Sequence, residues 1–197
     1  MSQQPRTFTQ TLQTPFYSRI APLIKGHDWS RWAGYATVNT FTNVEEEYFA
    51  MRNAATLFDV SPMTKYRIAG PDAEGYLNRL LPRNMSKLAP GLVSYTVWCN
   101  DAGHVIDDGT LFRFSANEFR LNAQERHLPW LKDSAIGFDV IIEDVTDAIA
   151  GLSLQGPTSC AILKELQLTS IAELKPFDMA DFDLGGIKLT VTRTGFS

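Results

Sequence analysis

The chain has 197 residues, 44% of them hydrophobic and 20% charged, with a formal net charge of −4 and a pI near 5.4. That is enough apolar material for a real core and up to two subdomains. The acidic balance, with no basic run or patch, argues against nucleic acid or an anionic membrane as partner, and no apolar run reaches membrane-spanning length.

The segment from Met1 to Thr7 carries no signal-type apolar stretch. Cys99 and Cys160 are far apart with no metal-type spacing, which reads as two buried free thiols in a reducing cytoplasm. Residues 1–13 are polar and read as frayed. Thr14-Pro15-Phe16 then opens a short helix to about Leu23, with Thr14 as cap and Pro15 at the first helical position. Trp29, Trp32 and Tyr35 cluster around Gly34, either as core or as the wall of a pocket for a flat ligand. Thr42-Asn43 caps a helix with Glu45, Glu46 and Glu47 in its first turn, ending near Ala54. Leu57 to Ser61 is extended, and Pro62 breaks regular pairing. Lys65 to Ala69 alternates as a strand. Gly70-Pro71-Asp72 opens a helix striped by Tyr76, Leu77, Leu80 and Leu81 and stopped by Pro82.

After the Pro90-Gly91 turn comes a β-hairpin. Tyr95, Val97 and Cys99 alternate, Asn100 to Gly103 supplies turn chemistry, and a second extended run spans Val105 to Phe114. Two adjacent carboxylates, Asp107 and Asp108, sit inside that run, where Asp is poorly suited. Side chains alternate faces along a strand, so only one of the pair can face the core side. The other is either a functional carboxylate or a solvated one. Glu118 to Ala123 is a further strand, and Asn122 near its end either caps a turn or meets a ligand. Leu128 to Ala135 reads as a helix, Phe138 to Val145 and Ala148 to Leu154 as strands, and Thr158 to Leu166 as a helix. Ala180 to Leu184 and Ile187 to Arg193 form a hairpin around Gly185-Gly186. The sum is an α+β fold with mostly antiparallel sheets and short helices. There is no internal repeat, no Gly-rich phosphate loop and no metal-ligand spacing. His27, His104 and His127 are scattered without obvious partners, which speaks against a metal or a nucleophilic triad.

An ordered series of short motifs resembles one family, the glycine-cleavage T-protein (aminomethyltransferase) and its tetrahydrofolate-dependent relatives. The series is Thr14-Pro15-Phe16-Tyr17, Trp32-Ala33-Gly34-Tyr35, Arg52 to Ser61, Gly70-Pro71-Asp72-Ala73, Asn100 to Asp108, Leu154-Gln155-Gly156-Pro157 and Arg193-Thr194-Gly195-Phe196. It runs through almost the whole chain, and it is specific for the superfamily rather than for one reaction. The resemblance implies a folate-binding fold in which residues 60–150 form an inserted α+β subdomain. Residues 1–59 and 151–197 would supply the first part and the return segment of the folate-binding domain, with the folate in a central hole.

By the same resemblance, Asp108 matches the family's key aspartate, beside the folate nitrogen that accepts the one-carbon unit, while Asp107 turns away. Met63, Tyr95 and Asn122 match folate-lining positions, and Phe112 falls where the family often has Tyr. The implied activity is tetrahydrofolate-dependent transfer of a one-carbon unit from a small amine donor. A folate-dependent demethylase of a sulfonium, betaine or aryl ether and a non-enzymatic folate-binding regulatory module are the alternatives. The implied partners are a small-molecule methyl or aminomethyl donor and a lipoyl carrier protein. Two departures stand out. The family's Asp-Val-Ser-His-Met is here Asp59-Val60-Ser61-Pro62-Met63, which points to a paralogue of the housekeeping T-protein. The sequence also stops at Ser197, where family members continue into a further acidic folate contact and a C-terminal domain; the expectation is a fold truncated before that domain.

Overall fold

The computed structural model describes residues 11–195. Its first helix, α1 (Tyr17–Ile20), runs into a 3-10 turn over Ala21–Leu23. Phe16 occupies the cap position without a side-chain cap bond, and Thr14 contributes its backbone carbonyl to Tyr17 N–H at 3.1 Å. Of the stretch read as frayed, residues 1–10 lie outside the described residues. Leu12 is held, because its N–H donates to Gly34 O and its carbonyl accepts from Ala36 N–H. β1 (Trp29–Trp32) and β2 (Tyr35–Val38) form a hairpin. The turn needs positive φ at both Ala33 and Gly34, 47° and 96°. This register separates the aromatic cluster. Trp32 pairs with Tyr35 on one face, whereas Trp29 falls on the other and packs on Tyr17 at 5.3 Å. The three rings therefore do not make one pocket wall.

α2 (Val44–Asn53) begins as its sequence dictates. Asn43 Oδ1 accepts from Glu46 N–H at 2.8 Å, and Glu47 Oε1 reaches back to the N–H groups of Phe41 and Thr42. β3 (Thr56–Asp59) follows, then β4 (Thr64–Ala69), α3 (Ala73–Leu80), β5 (Val93–Cys99), β6 (Val105–Arg113), β7 (Glu118–Ala123), α4 (Leu128–Ser134) and β8 (Ile141–Asp144). The chain then makes a 3-10 turn at Thr146–Ala148, between the two expected strands and taking the first residue of the second, and continues as β9 (Leu152–Gln155), α5 (Ser159–Glu165), β10 (Met179–Leu184) and β11 (Ile187–Thr192). The turn follows from Thr146, which is buried with Oγ1 accepting from Lys65 N–H at 3.0 Å, so the chain is tied down across β4 instead of extending along it.

The centre is a five-stranded antiparallel sheet in the order β5-β6-β7-β4-β8. One face is the core. Tyr66, Ile68, Trp98, Leu111, Phe119 and Leu121 are fully buried there, under Tyr76 and Leu77 of α3 and Leu131 of α4. Arg113 enters this core at 7% exposure, donating to the carbonyls of Met85, Leu88, Ser115 and Ala116 and pairing with Glu74 at 2.7 Å. A buried cation satisfied on every side is tolerated in a way a bare one is not. Separately, β3 pairs antiparallel with β9, Thr56 opposite Gln155 and Asp59 opposite Leu152. The chain thus leaves this ribbon at Val60 and re-enters it at Gly151, whose carbonyl takes Val60 N–H at 3.0 Å. Both cysteines are free, but Cys99 is half-buried and Cys160 exposed, since α5 buries none of its residues.

Candidate functional site

The second face of the five-stranded sheet carries the polar residues. Alternation fixes the assignment. Asp107 stands opposite Trp98 and shares the core side with it, so Asp108 must point to the other side. Tyr95 points there too, and its hydroxyl donates to Asp108 Oδ2 at 2.7 Å. That bond raises the Tyr95 pKa above its ordinary 10.0. Thr110 pairs with both Tyr95 and Asn122, and Phe112 pairs with Arg120, which extends the same face across β6 and β7. Lys65, opposite Asn122, and Arg67, opposite Arg120, carry it onto β4.

Four of the five residues singled out in the sequence, Tyr95, Asp108, Phe112 and Asn122, therefore share one surface. Met63 lies in the turn entering β4, its carbonyl accepting from Lys65 Nζ at 2.7 Å. Phe112 is buried at 6% exposure, stacked near Phe114 with the Arg120 guanidinium 4.7 Å from its ring centre. Asp108 is exposed and Tyr95 is 48% exposed, so the acid stands on an open surface of the described residues rather than inside a hole. An open depression of about 420 Å³ lies elsewhere, between α4 and β8, lined by Ile136, Phe138, Ile141 and Ile142 among others.

Asp107 is the structural member of the acid pair. Its side chain is 8% exposed; Oδ1 accepts from Asp108 N–H at 2.8 Å, Oδ2 accepts from Glu125 N–H at 3.0 Å, and His127 Nε2 lies 3.2 Å away. That Nε2 is buried and near the acid but makes no hydrogen bond among the described residues, and the His127 ring packs edge-on against Trp98. Gly109, next to Asp108, makes close strand approach possible: a Cβ there would lie 2.1 Å from Asn122 O.

Sequence reasoning missed two cations. Lys65 is 3% exposed and donates to the carbonyls of Ser61 and Met63. Burial, with the neighbouring Arg120 charge, pushes its pKa down to about 8. The Arg120 side chain makes no hydrogen bond or ion pair among the described residues, and its buried Nε–H has no acceptor. Arg120 follows from alternation along β7, two residues from Asn122, whereas Lys65 needed the β4–β7 register, which is a long-range fact.

The residues on this face fit the tetrahydrofolate implied by the resemblance. Asp108 keeps Oδ1 without a partner among the described residues, and the buried Asn122 Oδ1 has none either. Acceptors placed this way suit a ligand rich in N–H groups.

The chain matches the GCVT N-terminal domain family over residues 17–197. It is 37% identical to the aminomethyltransferase of Bacillus subtilis over 171 residues, covering 84% of this chain and 47% of that protein. It is 32% identical to the aminomethyltransferase of Exiguobacterium sibiricum over 193 residues, covering 96% of this chain and 52% of that protein. Among solved structures, the glycine cleavage system aminomethyltransferase T from Bartonella henselae superposes with a TM-score of 0.78 at 26% identity, covering 86% of this chain and 47% of that one. A chain of the heterotetrameric sarcosine oxidase from Corynebacterium sp. U-96 shares the fold, with a TM-score of 0.55 at 16% identity over 95% of this chain and 84% of that one. The fold is that of the aminomethyltransferases. The chain belongs to the GCVT N-terminal domain family, and it spans about half the length of the curated relatives it matches.

Proposed function

We propose that this chain forms the tetrahydrofolate-binding part of an aminomethyltransferase that moves a one-carbon unit from a small amine donor to the folate. The single observation that supports the reading best is the Asp108 carboxylate, held by Tyr95 at 2.7 Å on the same sheet face as the unpartnered Asn122 Oδ1. Tetrahydrofolate, when bound, supplies the secondary amine that accepts the carbon. Asp108 Oδ1 would accept the N–H of that amine and hold its proton as a general base. Tyr95 keeps the carboxylate oriented and stabilises its charge through Oδ2. Asn122 orients the ligand through its amide, Met63 and Phe112 supply apolar contact, and Asp107 holds the strand beneath. We assign residues 60–150 to an inserted unit, flanked by 1–59 and 151–197.

Among the described residues no helix is long and apolar enough to cross a membrane, and we place the chain in the cytoplasm. In this reading the aminomethyl donor is carried by a lipoyl carrier protein, as the family membership suggests. Pro62 favours a second reading, in which the donor is a methylated small molecule and the reaction a demethylation. It is fully buried where the family has His, and offers neither imidazole nor backbone donor.

The test is a transfer assay on the complete protein with saturating tetrahydrofolate, run with free methylated amines and with an aminomethylated lipoyl carrier. Asp108→Asn should reduce kcat by about 100-fold or more while tetrahydrofolate still binds, the range expected for loss of a general base. Unchanged transfer in that variant would overturn the assignment of Asp108. Folate binding with no transfer from any donor in the wild type would leave the non-enzymatic module as the function.

A further inference from the structure

Lys65 is the buried cation that nothing so far employs. It stands on β4 opposite Asn122, at 3% exposure. Its amine donates to two backbone carbonyls, Ser61 O at 2.9 Å and Met63 O at 2.7 Å, and to no carboxylate among the described residues. Those carbonyls flank Pro62, in the turn that leads from β3 into β4. The turn is also closed from within. Met63 N–H donates to Val60 O at 3.1 Å, Ser61 N–H donates to Asp59 Oδ1 at 2.9 Å, and Gly151 N–H donates to Ser61 Oγ at 3.2 Å. Pro62 is fully buried, and its ring fixes φ at that position. Lys65 thus grips, from β4, a turn whose last residue is the half-buried Met63.

The charge of this lysine is not explained by fold stability. Burial is the main cause that brings its pKa down to about 8, and Arg120 on β7 adds to it. Asp144, Asp59 and Asp147 offset only part of that. The folded chain therefore disfavours the charged amine. A buried cation kept against that penalty, and fixed by two charge-assisted bonds to a single turn, has its use in holding the turn. We propose that Lys65 is a positioning residue for the ligand of this face: by clamping the carbonyls on both sides of Pro62, it sets where Met63 meets that ligand. The proposal rests on the folate-face reading above, in which Met63 supplies apolar contact. Lys65 acts through the turn and does not touch the ligand. Asp108 stands on β6, with β7 between it and β4, so the clamp leaves the acid in place.

The experiment is a double-mutant cycle, read by calorimetric titration of the intact protein with tetrahydrofolate. Lys65→Met should weaken binding about 10-fold, within the range by which a residue without ligand contact modulates a site. Lys65→Gln keeps N–H donors, one atom short of the amine, and should recover part of that loss; it also serves if Lys65→Met folds poorly. Met63→Ala should weaken binding by a similar factor. Lys65→Met added to Met63→Ala should weaken it no further, because the clamp then has no side chain to place. A purely structural lysine would give losses that multiply, and no recovery with Gln. Either of those results, or wild-type affinity in Lys65→Met or in Met63→Ala alone, overturns the proposal. The folate-face reading fails separately, if Asp108→Ala and Met63→Ala both bind tetrahydrofolate as the wild type does.

Discussion

The adjacent acids show how one strand gives two identical side chains different work. Asp107 is buried against Trp98 and His127 and accepts two backbone N–H groups, while Asp108 meets only Tyr95. Asp107→Asn should therefore act on stability, because an amide cannot accept at both oxygens; a loss of about 1–3 kcal/mol in chemical denaturation is expected. Lys65 gives a pH signature. Its pKa is about 8 when folded, against 10.5 ordinarily, with burial and Arg120 lowering it and Asp144, Asp59 and Asp147 pulling the other way. Between those values the unfolded chain binds more protons than the folded one, so stability rises with pH. Below about pH 8 both forms are protonated and the burial penalty is fully present. Wild type should gain stability relative to Lys65→Met as pH rises from 8 towards 10. An unchanged difference between the two across that window would contradict the burial of the charged amine. The alternation of Asp107 and Asp108 was legible in sequence because it needs only local geometry. Lys65 and Arg120 were not, because strand charges read as solvated until their neighbours are known.

Most elements were legible as segments, including β4 and β7, whereas which distant strands pair with which was not. The stripe of α3, the cap of α2 and the β5–β6 hairpin each rest on a few adjacent residues. Asn43→Ala should lower stability by about 1 kcal/mol in thermal unfolding, with the loss confined to α2, as Asn43 Oδ1 is the side-chain acceptor for Glu46 N–H. The β1–β2 hairpin was hidden by its aromatic residues, which suit a core cluster and a pleated ribbon equally. At the junction of β6 and β7, Gly109→Ala would drive a Cβ to 2.1 Å from Asn122 O. Overpacking of this kind typically costs about 1–3 kcal/mol. The variant should also lose ligand affinity through Asn122, whereas Asn43→Ala should not. Equal affinity in the two variants would show that the β6–β7 spacing does not position the site.

Across the whole molecule, apolar burial is uneven. The core side of the five-stranded sheet is closed by α3 and α4, while α2 and α5 bury no residue fully. The β3–β9 ribbon leaves Leu57 55% and Leu152 48% exposed. A two-stranded ribbon with little cover is weak by itself. Amides of β3 and β9 should thus exchange with solvent well before those of β4, β6 and β7, and comparable protection would contradict the uneven core. The fold class was readable from composition and turn spacing, and the family from an ordered set of motifs. The openness of the polar face was not, since no single segment encodes what lies across from it.

The central claim is that this polar face receives the pterin with its amine at Asp108. Amide chemical-shift mapping during a tetrahydrofolate titration tests it most directly. The account predicts saturable shifts clustered on Tyr95, Asp108, Thr110 and Asn122, and their loss near Asp108 in the Asp108→Ala variant. Shifts confined to the depression between α4 and β8, or none at any concentration, would contradict it.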